Sequence, residues 1–257
     1  MSGIEIPSDK GGKEIMWASK DGSCIYTQNY DKDGNLSSIT QEQTKGNQYK
    51  RLESSIDEDG RTKSSTEIKD LQTGNFYHTS ESTDKKGRVV QESTTEKKDG
   101  VETGSTKNYK KGELYSESEY TIKDNVMTTN SAEYDKDAEM YRDESEVIDF
   151  ATCNQTKTTI ETDKDGKILE RSEFEKIGDE SASYSEKYNS NGDVIGEYES
   201  SWDKNGVRNS KGYLLDEQTG NIREKQSTYN PKTGDERIEA VTTDPQNRIV
   251  AENVVDV

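Results

Sequence analysis

Three short acidic segments are where this chain would hold a metal ion. Asp31/Asp33, Asp57/Asp59 and Asp163/Asp165 each set two carboxylates two residues apart. Asn29-Tyr30-Asp31-Lys32-Asp33-Gly34-Asn35-Leu36 matches the first eight positions of an EF-hand-like calcium loop. The twelfth position, where a bidentate Glu belongs, is Thr40, and no flanking helix is evident. The same residues read equally as a turn. An opening Asp accepts bonds from turn amides, and the Gly takes positive φ at the exit. The turn reading is preferred because it also explains copies that carry no acidic pair.

Other reactive side chains are isolated. His78 falls between Tyr77 and Thr79 with no Ser or Cys partner, and reads as a solvated strand residue. Cys24 and Cys153 lie far apart, fit no ligand spacing and make no disulfide framework. With one His and two Cys the common zinc sites are excluded. The chain has 53 Asp plus Glu, so carboxylate pairs of glycosidase type can be drawn anywhere, which removes their meaning. A general acid needs an apolar pocket to raise its pKa, and a chain with 26% hydrophobic residues can hardly build one. Neither catalysis nor a cofactor is expected.

The remaining candidates are aromatic. Tyr184, Tyr198, Trp202 and Tyr213, with Tyr188 and Tyr229 nearby, accompany Ser/Thr-rich segments and would stack on sugar rings or meet a protein partner. The competing reading is cross-strand pairing within a thin sheet.

These residues must be positioned by a repeat. Gly34, Gly60, Gly87, Gly112, Ala138, Gly166, Gly192, Gly220 and Asn247 recur every 25 to 28 residues. Two positions later stand Leu36, Thr62, Val89, Leu114, Met140, Ile168, Val194, Ile222 and Ile249, apolar in all copies but Thr62. A second series, Gly46, Gly74, Gly100, Asn125, Thr152, Gly178, Gly206 and Gly234, falls midway between the first. One turn about every 13 residues suits a strand of about nine residues plus a turn, and is too short for helix–turn–helix repeats. The predicted fold is all-β: a long antiparallel β-meander of about eighteen strands built from hairpin repeats of about 27 residues. Strand middles such as Ser65-Thr66-Glu67 and Glu92-Ser93-Thr94-Thr95 are polar on both faces. A single-layer sheet is therefore expected first, and an open twisted β-shell second.

Net charge is −18 and 34% of residues are charged. That composition also marks disorder, but the regular turn period opposes it. Acid excess argues against nucleic acid as a partner. No window is long and apolar enough to span a membrane. Met1–Gly22 lacks an apolar h-region, so no signal peptide is expected. An extracellular or cell-surface setting is nonetheless favoured.

Residues 1–22 lack the repeat and read as an irregular cap or docking segment, and 23–257 as one repeat domain. Residues 137–149 depart most from the pattern, which suggests a bulge or short helix. Arg248–Val257 is β-prone. Ile249, Val250, Val254 and Val255 would dock to another strand or simply end the sheet.

Tyr30-Asp31-Lys32-Asp33-Gly34-Asn35-Leu36, Tyr134-Asp135-Lys136-Asp137-Ala138-Glu139-Met140 and Tyr188-Asn189-Ser190-Asn191-Gly192-Asp193-Val194 resemble the YD repeats of bacterial Rhs-type toxins, which build a β-shell. The unit here is longer and most copies lack the Tyr. Composition and long polar hairpins also resemble spirochaete outer-surface lipoproteins, and more distantly MORN-like hairpins. These resemblances imply a non-enzymatic surface, scaffold or encapsulating role. The expected function is a structural scaffold or fibre subunit that assembles with itself or another surface protein. The alternative is a binding module for a glycan or protein.

Overall fold

A computed structural model describes residues 3–7 and 12–256. The chain divides into two compact units, Met1–Asp124 and Asn125–Val257. The sequence showed no such boundary because the turn period runs across it, and Asn125 itself belongs to the midway turn series.

The first unit opens with β1 (Gly3–Pro7), β2 (Lys13–Ala18), β3 (Cys24–Tyr30), β4 (Leu36–Lys45) and β5 (Gln48–Ile56). It continues with β6 (Thr62–Asp70), β7 (Phe76–Thr83), β8 (Val89–Lys98), β9 (Val101–Lys110) and β10 (Glu113–Lys123). The second unit begins with β11 (Val126–Asp135), β12 (Met140–Asp149), β13 (Asn154–Asp163), β14 (Ile168–Ile177) and β15 (Glu180–Tyr188). It ends with β16 (Val194–Trp202), β17 (Arg208–Asp216), β18 (Asn221–Tyr229), β19 (Glu236–Thr243) and β20 (Ile249–Asp256). Among the described residues there is no helix.

Within each unit every strand pairs antiparallel with the one before and the one after it. Strand contacts go no further, so each unit is a single open layer, not closed into a barrel. The all-β meander expected from the turn period is the fold. Two strands were not foreseen. Residues 1–22, expected to be irregular, carry β1 and β2, and β2 pairs with β3. Ile4 faces Met16, and Trp17 lies 5.4 Å from the ring of Tyr26, so apolar cross-strand pairs add to a turn in which Gly22, at φ +70°, donates to the Ser19 carbonyl. Residues 1, 2, 8–11 and 257 lie outside the described set, and with them part of the 1–22 segment and Val257.

Turns explain the period. In the Asp31 turn, the Asp31 amide donates to the Asn35 carbonyl at 2.9 Å and Gly34 donates back to the Asp31 carbonyl at 3.1 Å. Asp31 Oδ1 accepts from the amides of Asp33 and Asn35 at 2.9 and 2.8 Å. Gly34 has φ +83°. The same backbone pair recurs at Asp57, Asp84, Asp163, Asn189, Asp203 and Asp244. Asp70, Asp216 and Asn230 open a variant one residue longer, in which Gly74, Gly220 and Gly234 donate to the opening carbonyl.

The stretch 137–149 holds neither the bulge nor the short helix expected of it. Residues 140–149 form β12, which pairs without interruption on both sides. The anomaly is confined to the turns, where positive φ moves to Glu139 and Cys153. Bulges lie elsewhere. Ser37, Val90, Tyr115, Leu169, Ile195 and Val250 are each skipped in the ladder to the preceding strand, one residue beyond the apolar turn-exit position. Each adds local twist where the strand leaves the turn.

No apolar side chain is buried among the described residues. In the first unit the strand middles align Thr27, Thr40, Glu53, Ser65, Ser80, Ser93, Thr106 and Ser118 on one face. Backbone ladders, such small polar pairs and turn bonds hold the layer together.

Candidate functional site

The strand registers separate the four aromatic candidates. Tyr184 on β15 faces Glu199, which faces Lys211, so Tyr213, two residues further along β17, shares that face. Tyr198 and Trp202 alternate with Glu199 on β16 and project from the opposite face. The proposed cluster is therefore two pairs back to back, because residues adjacent along a strand point to opposite sides.

On the first face, Tyr184 and Tyr188 both donate to Glu186, at 2.8 and 2.5 Å. The Glu186 carboxylate holds both phenols above their ordinary pKa, with desolvation adding to the effect. The two donors in turn lower Glu186. Tyr213 is raised chiefly by desolvation and next by Glu197. Tyr184 lines an open channel of about 1010 Å³ with Glu199, Lys211 and Gln226. Tyr213 lines a neighbouring depression of about 380 Å³ with Glu197, Glu224 and Val241. Phenols committed to carboxylates and flanked by Glu are poor nucleophiles. This face offers polar contact.

On the opposite face, Tyr198 stands directly across from Gly212. A Cβ on Gly212 would fall 2.4 Å from the Glu197 carbonyl oxygen and 2.9 Å from Tyr198 Cδ2, so the ring covers bare backbone. Trp202 is half-buried in a row with Arg208 and Tyr229. Between these aromatics runs a ladder of Ser183, Ser200, Ser210 and Ser227. Its hydroxyls pair at 2.8 Å (Ser183–Ser200) and 2.7 Å (Ser210–Ser227), and the last three serines are buried.

The strand-docking candidates lie together. Ile249, Val250, Val254 and Val255 are 62, 54, 48 and 40% exposed, and every residue of β20 is exposed. The strand pairs with β19, in a register that places Val254 across from Glu239 and Val255 across from Ile238. It carries Glu252 and Asp256 as its only charges.

Two features escaped the sequence. Tyr26-Thr27-Gln28-Asn29-Tyr30 repeats the β15 clamp, with Gln28 bonded to both phenols at 3.1 and 2.9 Å. The spacing Tyr-x-Gln/Glu-x-Tyr before a turn was the available signal. Gly104 faces Tyr120 as Gly212 faces Tyr198, and a Cβ there would lie 2.2 Å from Tyr120 Cε1. Among the described residues no group of three or more His, Cys, Asp or Glu is arranged to hold a metal ion, and no helix is long and apolar enough to cross a membrane. At the calcium-like loop, Asp31 Oδ1 is already taken by turn amides.

No family model matches the chain, and no curated protein matches it. Among solved structures it is similar to two mutant forms of the vaccine antigen Transferrin Binding Protein B from Haemophilus parasuis Hp5. For the single mutant, identity is 7% and TM-score 0.17, over 90% of this chain and 65% of that one. For the double mutant the values are 10% and 0.18, over 92% and 66%. The chain thus spans just under two thirds of the length of these structures. Superposition at this level fixes neither fold nor function.

Proposed function

We propose that this chain is a non-enzymatic structural protein, a β-meander scaffold that assembles by adding a strand to its last one, β20. The observation that carries the reading is the edge itself: eight exposed residues, four of them large and apolar, paired within their unit with β19 alone. An unpaired β-prone edge offers free backbone donors and acceptors to an incoming strand. The rest of the fold supports a scaffold. Small polar side chains are spent on pairing across strands, and Tyr109, Tyr120, Tyr184 and Tyr188 on neighbouring carboxylates.

Light scattering after size exclusion, over a concentration series, tests this. The mass should rise with concentration and return to that of a monomer in Val254→Lys/Val255→Lys. Both positions are exposed, so circular dichroism should be unchanged in the double variant. A wild-type chain that stays monomeric throughout removes the reading.

A second reading has one specific observation behind it. The Trp202–Arg208–Tyr229 row and Tyr198 flank the serine ladder on a single face, a polar floor with aromatic sides that suits a glycan. Saturable binding to a glycan array, lost in Trp202→Ala but kept in Tyr213→Ala on the other face, would favour it over the scaffold.

A further inference from the structure

We propose that the strand added to β20 is β20 of a second copy, paired antiparallel about a two-fold axis at Glu252. This rests on the edge-assembly reading and specifies its partner, register and symmetry.

An antiparallel neighbour in the same sheet must place side chains of one face opposite each other. For two copies of one strand related by a two-fold axis, that leaves only registers in which some residue faces its own counterpart. A centre at Asn253 sets Glu252 against the partner's Val254 and Val250 against the partner's Asp256, acid against aliphatic. A centre at Val254 sets Glu252 against the partner's Asp256 twice over. A centre at Ala251 again buries Val250 against Glu252.

The centre at Glu252 differs. Val250 meets the partner's Val254 on both sides of the axis, and Ala251 meets the partner's Asn253. Ile249 and Arg248 fall outside this register, because the bulge at Val250 turns Ile249 onto the face of Val250 itself. The bulge at Val250 and the turn bond of Arg248 to Asp244 end the paired stretch at that side. Within the paired stretch, Val250 to Val254, aliphatic residues thus meet each other and none is set against an acid. The one unfavourable contact is Glu252 against its counterpart. An isologous joint of this kind closes at two copies, so growth beyond a dimer requires a different contact.

The test is crosslinking in the full chain carrying Cys24→Ser and Cys153→Ser, with oxidised glutathione as oxidant. Directly opposed positions bring their Cβ atoms to about 5 Å, near what a disulfide needs. Glu252→Cys should give a disulfide dimer, and Val255→Cys, six residues out of step with itself, should not. Glu252→Gln should tighten the dimer about threefold or more by removing like charges face to face. Crosslinking through Val255→Cys, or a dimer by light scattering that Glu252→Cys does not trap, overturns this register and leaves edge assembly standing. A monomer at every concentration overturns both.

Discussion

Gly212 and Gly104 carry a demand usually met by a core. Each leaves a strip of backbone bare, and each lies under an aromatic ring from a neighbouring strand, Tyr198 and Tyr120. Gly212→Ala and Gly104→Ala are expected to destabilise by about 1–3 kcal/mol, since the new methyl overpacks against the ring. Tyr198→Phe should stay within about 0.5 kcal/mol. Urea unfolding of the variants checks both. The turn carboxylates make a second prediction at this scale. Asp84 is lowered to about 2, first by the Arg88 side chain and then by its amide, and Asp21 to about 2 by Ser19 and Ser23. Asp31, Asp70, Asp149, Asp203, Asp216 and Asp244 are lowered by the same kind of bonding. Carboxyls held below their unfolded value contribute fully above about pH 4, and that contribution disappears as pH falls through the folded values. Thermal unfolding should therefore be flat above about pH 5 and fall steeply between about pH 4 and 2.

At the level of the strand and its turn, Gly192 takes φ +88° with open space where a Cβ would go. Gly192→Ala should cost about 1–2 kcal/mol from backbone strain alone, read by the same urea unfolding. Such turns are what made the fold legible. An opening Asp or Asn and a Gly in the left-handed region are written in residue types, so the antiparallel order and the strands from β3 to β20 followed from spacing. The bulges did not follow, because an extra residue such as Ile195 or Leu169 differs from its neighbours in pairing and not in kind. Nor did β1 and β2: the turn after β2 opens on Ser19 instead of Asp or Asn, although Gly22 closes it at φ +70°. The site was legible only in part. β20 could be found from its run of Val and Ile. The division of Tyr184 and Tyr213 from Tyr198 and Trp202 required the register, since a list of nearby aromatics says nothing of which side each one faces.

For the whole chain, the lack of buried apolar side chains among the described residues has a calorimetric signature. Heat capacity rises on unfolding mainly because apolar surface becomes wet, and here much of it is wet already. The heat-capacity change should fall well below about 12 cal/mol/K per residue in differential scanning calorimetry. Net charge matters at the same scale. With −18 on 257 residues, self-repulsion opposes both the folded sheet and the pairing with another copy proposed above. Raising salt from 0.01 to 0.1 M shortens the screening length from about 30 to about 10 Å. Melting temperature and dimer fraction should both increase over that range.

Each strand of a unit is bonded only to its predecessor and successor. A load applied along the chain would consequently act on one ladder at a time, as in opening a zipper, with no buried centre to fail all at once. Each hairpin released would lengthen the chain by about 95 Å, from roughly 27 residues at about 3.5 Å apiece. The strands not yet reached would keep their pairing. Such a sheet would lengthen under tension in small steps and take up slack again as each turn re-forms.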